Sequence, residues 1–534
     1  MNSEPLLDGA SAEVLGFDWL AQATKPVSPY GERAFLQLRP FIAGEEAAAQ
    51  ARAERIVDIS TELSEQRIEA IRAALTDLPD AASSIARASL GEVLADPSFL
   101  ELRRFCATVE RIEILRGDLV SLPLLMNEAV RVVRDALATG QARDDEFYLA
   151  DSFSEALAST RAQLGQTQAE LDALRGREAQ RVARELGREE LRGDEFIVMR
   201  ADLRGALPAG VRVVREAATY FLCALEYNDA VLAALERRDA AADAVADVEE
   251  RVRAELSSIV RKNAVGLNDA AALVAELDVM VAAARFAQRF ACVAAVTSDS
   301  AELAFAQARF LPLEVELVAA GRAFTPLDLE LDDAAVLTGP NMGGKSVCLL
   351  TCGFLALCVA FGLPVPAARA RIGLFAQIAW LGMGLEEQIG GLLSSFAREV
   401  LALKAILARN SPRLLILVDE FARTTTPHEG KALLIALLAR LRERRACGML
   451  ATHLEGVAAA AGVRHFAVRG LRGIPSPPAT DDIGEALAAL AASMDYRIAE
   501  VSGDDVSRAD AIALTGLLGI DQQFVDAAYR ALLQ

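Results

Sequence analysis

The chain has 534 residues, 53% of them hydrophobic, and carries 55 basic against 75 acidic side chains for a net charge of −20. That surplus of acid opposes a non-specific grip on nucleic acid, because neutralising phosphates and releasing their counterions needs a basic face. The length suits several domains with buried cores, and a composition rich in Ala and Leu but poor in aromatics favours helix.

No targeting segment is predicted at the N-terminus, where Met1 to Glu13 carries acids and no basic n-region. The seven Cys are scattered singly, which reads as reduced thiols in a cytosolic protein. From Lys25 to about Pro123 the pattern is helical and amphipathic. It opens with S-P-Y-G-E-R (Ser28 to Arg33) as a turn and helix start.

From Phe153 to Ile259 a different unit is predicted. Leu157, Leu164 and Leu171 recur every seven residues, Leu174 fills the next seam position, and Val245, Val248, Val252 and Ile259 keep a similar seam on a second helix. Two β-leaning runs, Glu195 to Arg200 and Val211 to Val214, flank Leu207-Pro208-Ala209-Gly210 and predict a hairpin at the far end of an antiparallel helical arm. Residues 141–260 hold 16 Arg and no Lys against 24 acidic residues, so the arm is of the wrong sign to hold a phosphate backbone. Arg200, Arg204, Arg212 and Arg215 at the tip are the one candidate basic stripe.

Arg261 to Arg309 is expected to return to helix, with Leu273, Leu277, Val281 and Ala284 on one face. The expected division is a helical domain of residues 1–150 and 261–308, the arm at 151–260, a further domain at 309–500 and a C-terminal helical segment at 501–534. The fold class is therefore α/β plus all-α.

That the domain at 309–500 is an ATPase follows from Leu337 to Ser346, L-T-G-P-N-M-G-G-K-S. Gly339, four residues on to Gly344, then Lys345-Ser346, is the phosphate-loop pattern, in which backbone N–H groups along the stretch Gly339-Pro340-Asn341-Met342-Gly343-Gly344 wrap a phosphate chain. Lys345 can reach the β- and γ-phosphates, and Ser346 offers a hydroxyl to Mg²⁺. An apolar run from Ala334 to Leu337 predicts the strand before the loop. Val347 to Phe361 predicts the helix after it. The uncharged stretch Val347 to Ala368 is broken by Gly353, Gly362, Pro364 and Pro366, so a helix covered on both sides is expected rather than a membrane span. Cys348 and Cys352 stand one turn apart on it, without further ligands at metal spacing.

Downstream, Leu414 to Val418 reads as a central parallel strand ending in Asp419-Glu420. Asp419 is placed to hold Mg²⁺ through water, and Glu420 to orient or deprotonate the attacking water. His453, after the apolar Met449 to Thr452, is placed to contact the γ-phosphate. The cofactors expected are ATP and Mg²⁺.

These residues resemble the MutS family of mismatch-repair ATPases. The likeness runs through T-G-P-N-M-G-G-K-S, Gly362 to Ala367, Arg371 to Gly373, Ser394-Ser395-Phe396 with Glu399, Asp419 to Arg423, Glu429-Gly430 and Ala451-Thr452-His453. The resemblance implies an ABC-type ATPase joined to a helical lever and a clamp-like arm. It also implies a homodimer in which Ser394 reaches the γ-phosphate bound by the partner, with Phe324 stacked on adenine and Asn341 beside the nucleotide.

Departures from the family bear on function. The family's two N-terminal domains, with the mismatch-reading Phe-x-Glu, have no counterpart before the lever-like sequence. Where the family reads Gly-Arg-Gly-Thr-Ser-Thr, this chain has Ala422-Arg423-Thr424-Thr425-Thr426-Pro427, and the Gly-to-Thr change bears on the local backbone. What remains is similar to the MutS-like ATPase subunits of reactivases that serve adenosylcobalamin-dependent lysine or ornithine aminomutases. The function expected is ATP-driven remodelling of a protein client, with a second reactivase subunit. The alternative is a family member that binds mismatched or branched DNA. A transport or chromosome-type ATPase fits less well, since no Leu-Ser-Gly-Gly-Gln signature is present.

Overall fold

The structure is a computed structural model that describes residues 1–534 apart from 2–5, 142, 144–145, 192, 194, 204, 341–342, 383–394, 410, 412, 472–492, 502–511, 513–514, 516–519 and 533–534. Contacts divide the chain into two compact units. One comprises Met1–Asp77, Ile114–Pro123 and Leu273–Gln534, the other Leu78–Glu113 and Leu124–Ala272. Three sheets are built from β1 (Glu195–Met199), β2 (Val211–Glu216), β3 (Tyr220–Leu225), β4 (Val296–Ser298), β5 (Leu303–Ala308), β6 (Leu327–Leu331), β7 (Ala334–Thr338), β8 (Arg369–Gly373), β9 (Gln377–Leu381), β10 (Leu414–Asp419), β11 (Cys447–Ala451), β12 (Arg464–Leu471) and β13 (Met494–Glu500).

In the first unit the main sheet has the order β13-β12-β7-β11-β10-β9. Every pairing in it is parallel except that of β12 with β13. Its central strands are apolar along their length because both faces are covered. Leu434, Leu437, Leu438 and Leu441 of the helix Pro427–Glu443 pack with Val336, Ile416, Val418 and Leu450 on one face. The helix Lys345–Ala360 covers the other face, so close that a Cβ on Gly353 would come within 3.0 Å of Leu417 Cδ1. The uncharged run seen in the sequence is thus a buried helix, and among the described residues no helix is long and apolar enough to cross a membrane. Cys348 and Cys352 are buried in it, with Cys348 Sγ 3.8 Å from Met449 Sδ. The outer strand β9 is bonded along its free edge by the chain's early residues: Ile378 N–H donates to Leu6 O over 2.9 Å, and Trp380 N–H to Ser11 Oγ over 2.9 Å.

A second sheet in this unit has the order β4-β8-β5-β6. Its strands β4 and β5 correct the expectation of helix from Arg261 to Arg309, which holds for the end of the helix Asp229–Lys262 and for Ala264–Arg289 but not beyond. The run L-A-F-A-Q-A of β5 alternates buried and half-exposed positions, but its alanines mimic a helix. The expected turn and helix start at Ser28 is present: Ser28 caps the helix Pro29–Leu36 by accepting from Gly31 N–H at 3.0 Å. Fully buried Asp278 accepts Ser28 N–H at 2.6 Å and Val27 N–H at 3.1 Å. A Cβ at Gly31 would fall 2.3 Å from Asp278 Oδ2, which explains the glycine.

In the second unit the helices Glu155–Glu185 and Asp229–Lys262 run antiparallel, tied by Arg161 to Glu249 and Arg237 to Glu170 at 2.8 and 2.7 Å. Leu157, Leu171, Val245, Val248 and Val252 are buried as the seam predicts, while Leu256 and Val260 take the buried places nearest Ile259. The two β-leaning runs do not pair with each other as the hairpin expectation required. Each pairs antiparallel with β3, which lies between them. The sheet packs Phe196, Val198 and Cys223 on Val182 of the first helix. Arg200 at this tip is occupied, paired with Glu216 and lying 4.3 Å over the Phe221 ring. Arg204 lies outside the described residues, and Arg212 and Arg215 are exposed.

Candidate nucleotide site at the strand ends

The sheet order places β7, β11 and β10 side by side and parallel, so the chain segments leaving their C-terminal ends meet at one edge of the sheet. In open α/β sheets that edge is where ligands bind. The glycine-rich turn leaves β7 there, Glu420 follows β10, and His453 follows β11.

The turn is shaped by close approaches as well as by backbone freedom. Gly339 has φ +151°, and a Cβ there would meet Val468 Cβ at 3.0 Å. Gly344 has φ +91° as the cap residue of the helix Lys345–Ala360, and a Cβ on it would fall 3.1 Å from the Tyr496 ring. A Cβ on Gly343 would clash with Pro340 O at 2.8 Å. All three glycines are therefore required by the fold itself. Asn341 and Met342 lie outside the described residues.

Lys345 begins the helix with its side chain only 6% exposed. Its ammonium donates to Gly339 O at 3.0 Å and Pro340 O at 3.2 Å, and lies 3.9 Å from Glu420 Oε1. Burial pulls its pKa down, against the opposing pull of Glu420 and Asp419. The next residue, Ser346, donates its hydroxyl to Asp419 Oδ2 over 2.7 Å. Burial pushes the Asp419 carboxyl above the ordinary range, the Ser346 hydrogen bond pulls it back, and the charge of Glu420 pushes it further up.

Glu420 stands in left-handed backbone, φ +55°, with its N–H on Ala451 O at 3.1 Å. Two residues on, Ala422 is also left-handed at φ +62°. The backbone consequence of the Ala422-Arg423-Thr424 sequence therefore falls on the alanine and not on Thr424. Arg423 Nη1 lies 3.5 Å from Glu420 Oε2.

The structure thus brings Lys345, Ser346, Asp419 and Glu420 into mutual contact. His453 is exposed, two residues past the end of β11. Phe324 is half-buried in the irregular stretch before β6, and Ser394 lies outside the described residues. Three neighbours of the turn carried no sequence signal. These are Val468 and Tyr496, which close on the glycines, and His465, whose Nε2 is 2.8 Å from Thr338 Oγ1.

Residues 335–469 match the family described as MutS domain V. The chain is 28% identical over 399 residues to an "Endonuclease MutS2" of Geobacillus sp. (strain WCH70), covering 70% of this chain and 48% of that protein. It is 29% identical over 397 residues to an "Endonuclease MutS2" of Exiguobacterium sibiricum, with the same coverage. To that of Carboxydothermus hydrogenoformans it is 37% identical over 191 residues, 35% of this chain and 24% of the relative. The chain thus spans about half the length, or less, of the curated relatives it matches. The domain match and these relatives together support a MutS-family protein.

Proposed function

We propose that the chain is a MutS-type ATPase that binds ATP on the turn 339–346 and hydrolyses it at Glu420. The observation that carries this reading is the joined set of contacts from Ser346 to Asp419 at 2.7 Å and from Lys345 to Glu420 at 3.9 Å, at the end of parallel strands. Lys345 binds the terminal phosphates, and Glu420 orients and deprotonates the attacking water. His453 lies at the same edge to contact the γ-phosphate, and Phe324 is assigned to adenine. Ser346 and Asp419 offer the hard oxygens that suit Mg²⁺, which when bound neutralises charge on the β- and γ-phosphates.

The ATPase works as a homodimer, with Ser394 of one subunit completing the other's site and closure moving the helical arms. The client we assign is a protein. Residues 141–260 carry 16 Arg against 24 acidic residues, and Arg200 at the arm tip is already engaged with Glu216 and Phe221. The resemblance in the sequence makes an adenosylcobalamin-dependent aminomutase and a second reactivase subunit the first partners to try by co-purification. The MutS2 relatives lend that narrower choice no support.

A second reading is binding of branched or mismatched DNA, which the printed name of the relatives favours. Two measurements on purified chain decide. Phosphate release from Mg²⁺·ATP is expected, and its absence together with failure to bind a fluorescent ATP analogue removes the ATPase reading. Duplex, mismatched and branched DNA are expected to run unshifted at physiological salt, and a shift replaces the protein client with DNA.

A further inference from the structure

The turn after β10 holds two non-glycine residues in left-handed backbone, Glu420 at φ +55° and Ala422 at φ +62°, with Phe421 between them. Such backbone persists only where the surroundings over-determine it. Part of the restraint is local. Ala422 O accepts from Thr425 N–H at 3.1 Å and from Thr425 Oγ1 at 2.9 Å. The rest comes from a separate element, the helix Ser395–Ala408. From its first turns, Phe396 places its ring 6.5 Å from that of Phe421, and Glu399 Oε2 accepts Ala422 N–H at 2.8 Å.

Glu399 and Phe396 stand three residues apart, one turn of helix, so a single face grips two consecutive residues of the turn. Glu399 is not a free surface carboxylate. Burial pushes its pKa up, while Ala422 N–H and Arg423 pull it down. It does not touch Lys345, Ser346 or Asp419. Its link to the site runs through the backbone of Ala422 to Glu420.

We propose that Glu399 is a positioning residue for hydrolysis: by holding Ala422 N–H it fixes the left-handed turn that aims the Glu420 carboxylate, and it makes that aim depend on the seating of the helix Ser395–Ala408. A sub-ångström drift of Glu420 then changes the rate with little change in how ATP is held, since the hydrogen bonds of Lys345 to Gly339 O and Pro340 O at 3.0 and 3.2 Å are closer than its 3.9 Å approach to Glu420. The inference rests on the ATPase reading.

The test compares wild type with Glu399→Ala, Glu399→Gln, and Glu399→Ala combined with Ala422→Gly. ATP turnover, affinity for a fluorescent ATP analogue and melting temperature are read for each. Misplacing a reacting group by about 1 Å costs on the order of 100-fold in rate, so Glu399→Ala is expected to lose roughly 10- to 100-fold in kcat with affinity unchanged within about twofold. Glu399→Gln keeps an acceptor oxygen and is expected to recover most of the rate. Glycine at 422 adopts the left-handed backbone unaided and is expected to recover part of it. Wild-type kcat in Glu399→Ala overturns the proposal, as does equal loss in the Gln variant or a fall in kcat and affinity that tracks the melting temperature. Absence of turnover in wild type removes the ATPase reading and this inference with it, whereas turnover in wild type with an indifferent Glu399→Ala removes this inference alone.

Discussion

Ser346 and Asp419 stand 73 positions apart in the chain and share a hydrogen bond of 2.7 Å at the end of two parallel strands. That bond joins a hydroxyl at the start of a helix to a carboxyl that burial keeps above its ordinary pKa. A raised pKa means that the folded chain binds the Asp419 proton more tightly than the unfolded chain does. Between the unfolded and the raised value stability therefore falls as pH rises, and above both the ionised group is a standing cost. Asp419→Asn is expected to raise the melting temperature of the nucleotide-free protein at neutral pH by roughly 1–3 °C. The gain should vanish well below pH 4. Mg²⁺·ATP is expected to stabilise wild type and not the variant. A lower melting temperature for the nucleotide-free variant at pH 7 contradicts the sign.

Lys345 and Glu420 are expected to separate binding from turnover. Lys345→Ala removes the ammonium proposed to meet the phosphates and is expected to weaken nucleotide affinity. Glu420→Gln keeps affinity while lowering kcat by about 100-fold or more. Equilibrium binding and phosphate release on the two variants check this, and equal loss of affinity in both contradicts the division of roles.

Ala422→Gly is expected to stabilise the protein by about 1 kcal/mol, since an L-residue in left-handed backbone carries a steric penalty that glycine lacks. Thr424→Gly, outside that conformation, is expected to be neutral or destabilising. Urea or thermal unfolding of the two variants checks the contrast, which reverses if the strain lies at Thr424.

Ser394→Ala mixed with Lys345→Ala is expected to restore about half of wild-type turnover per heterodimer, because one composite site then draws both intact groups from different subunits. Titrating one inactive variant into the other reads this directly. No recovery at any ratio removes the shared site.

The strands β7, β10 and β11 were legible because each is a continuous apolar run, and that is what burial on both faces demands. The residues at their ends were legible because phosphate chemistry fixes spacing within a short stretch. Where both faces are not buried, the signal faded. β5 hid among alanines, and β3, the strand that organises the arm tip, went unpredicted. The restraints on the site were illegible for another reason. Val468 against Gly339 and Tyr496 against Gly344 are contacts across long sequence separations, and each side chain alone reads as an ordinary residue. Glu399 belongs to the motif likeness, but its hold on Ala422 N–H is visible only in the fold. The Ala422-Arg423-Thr424 stretch did announce an unusual backbone, but only the structure places it at Ala422.

The bonds from Ile378 N–H to Leu6 O and from Trp380 N–H to Ser11 Oγ give the sheet a rim that the chain closes upon itself. A variant trimmed past Leu15 would present β9 as a bare, largely apolar border with donors turned outward, the template on which foreign strands assemble. Such a shortened form is expected to precipitate rather than lose activity cleanly, so trimming from that end tests solubility before it tests catalysis.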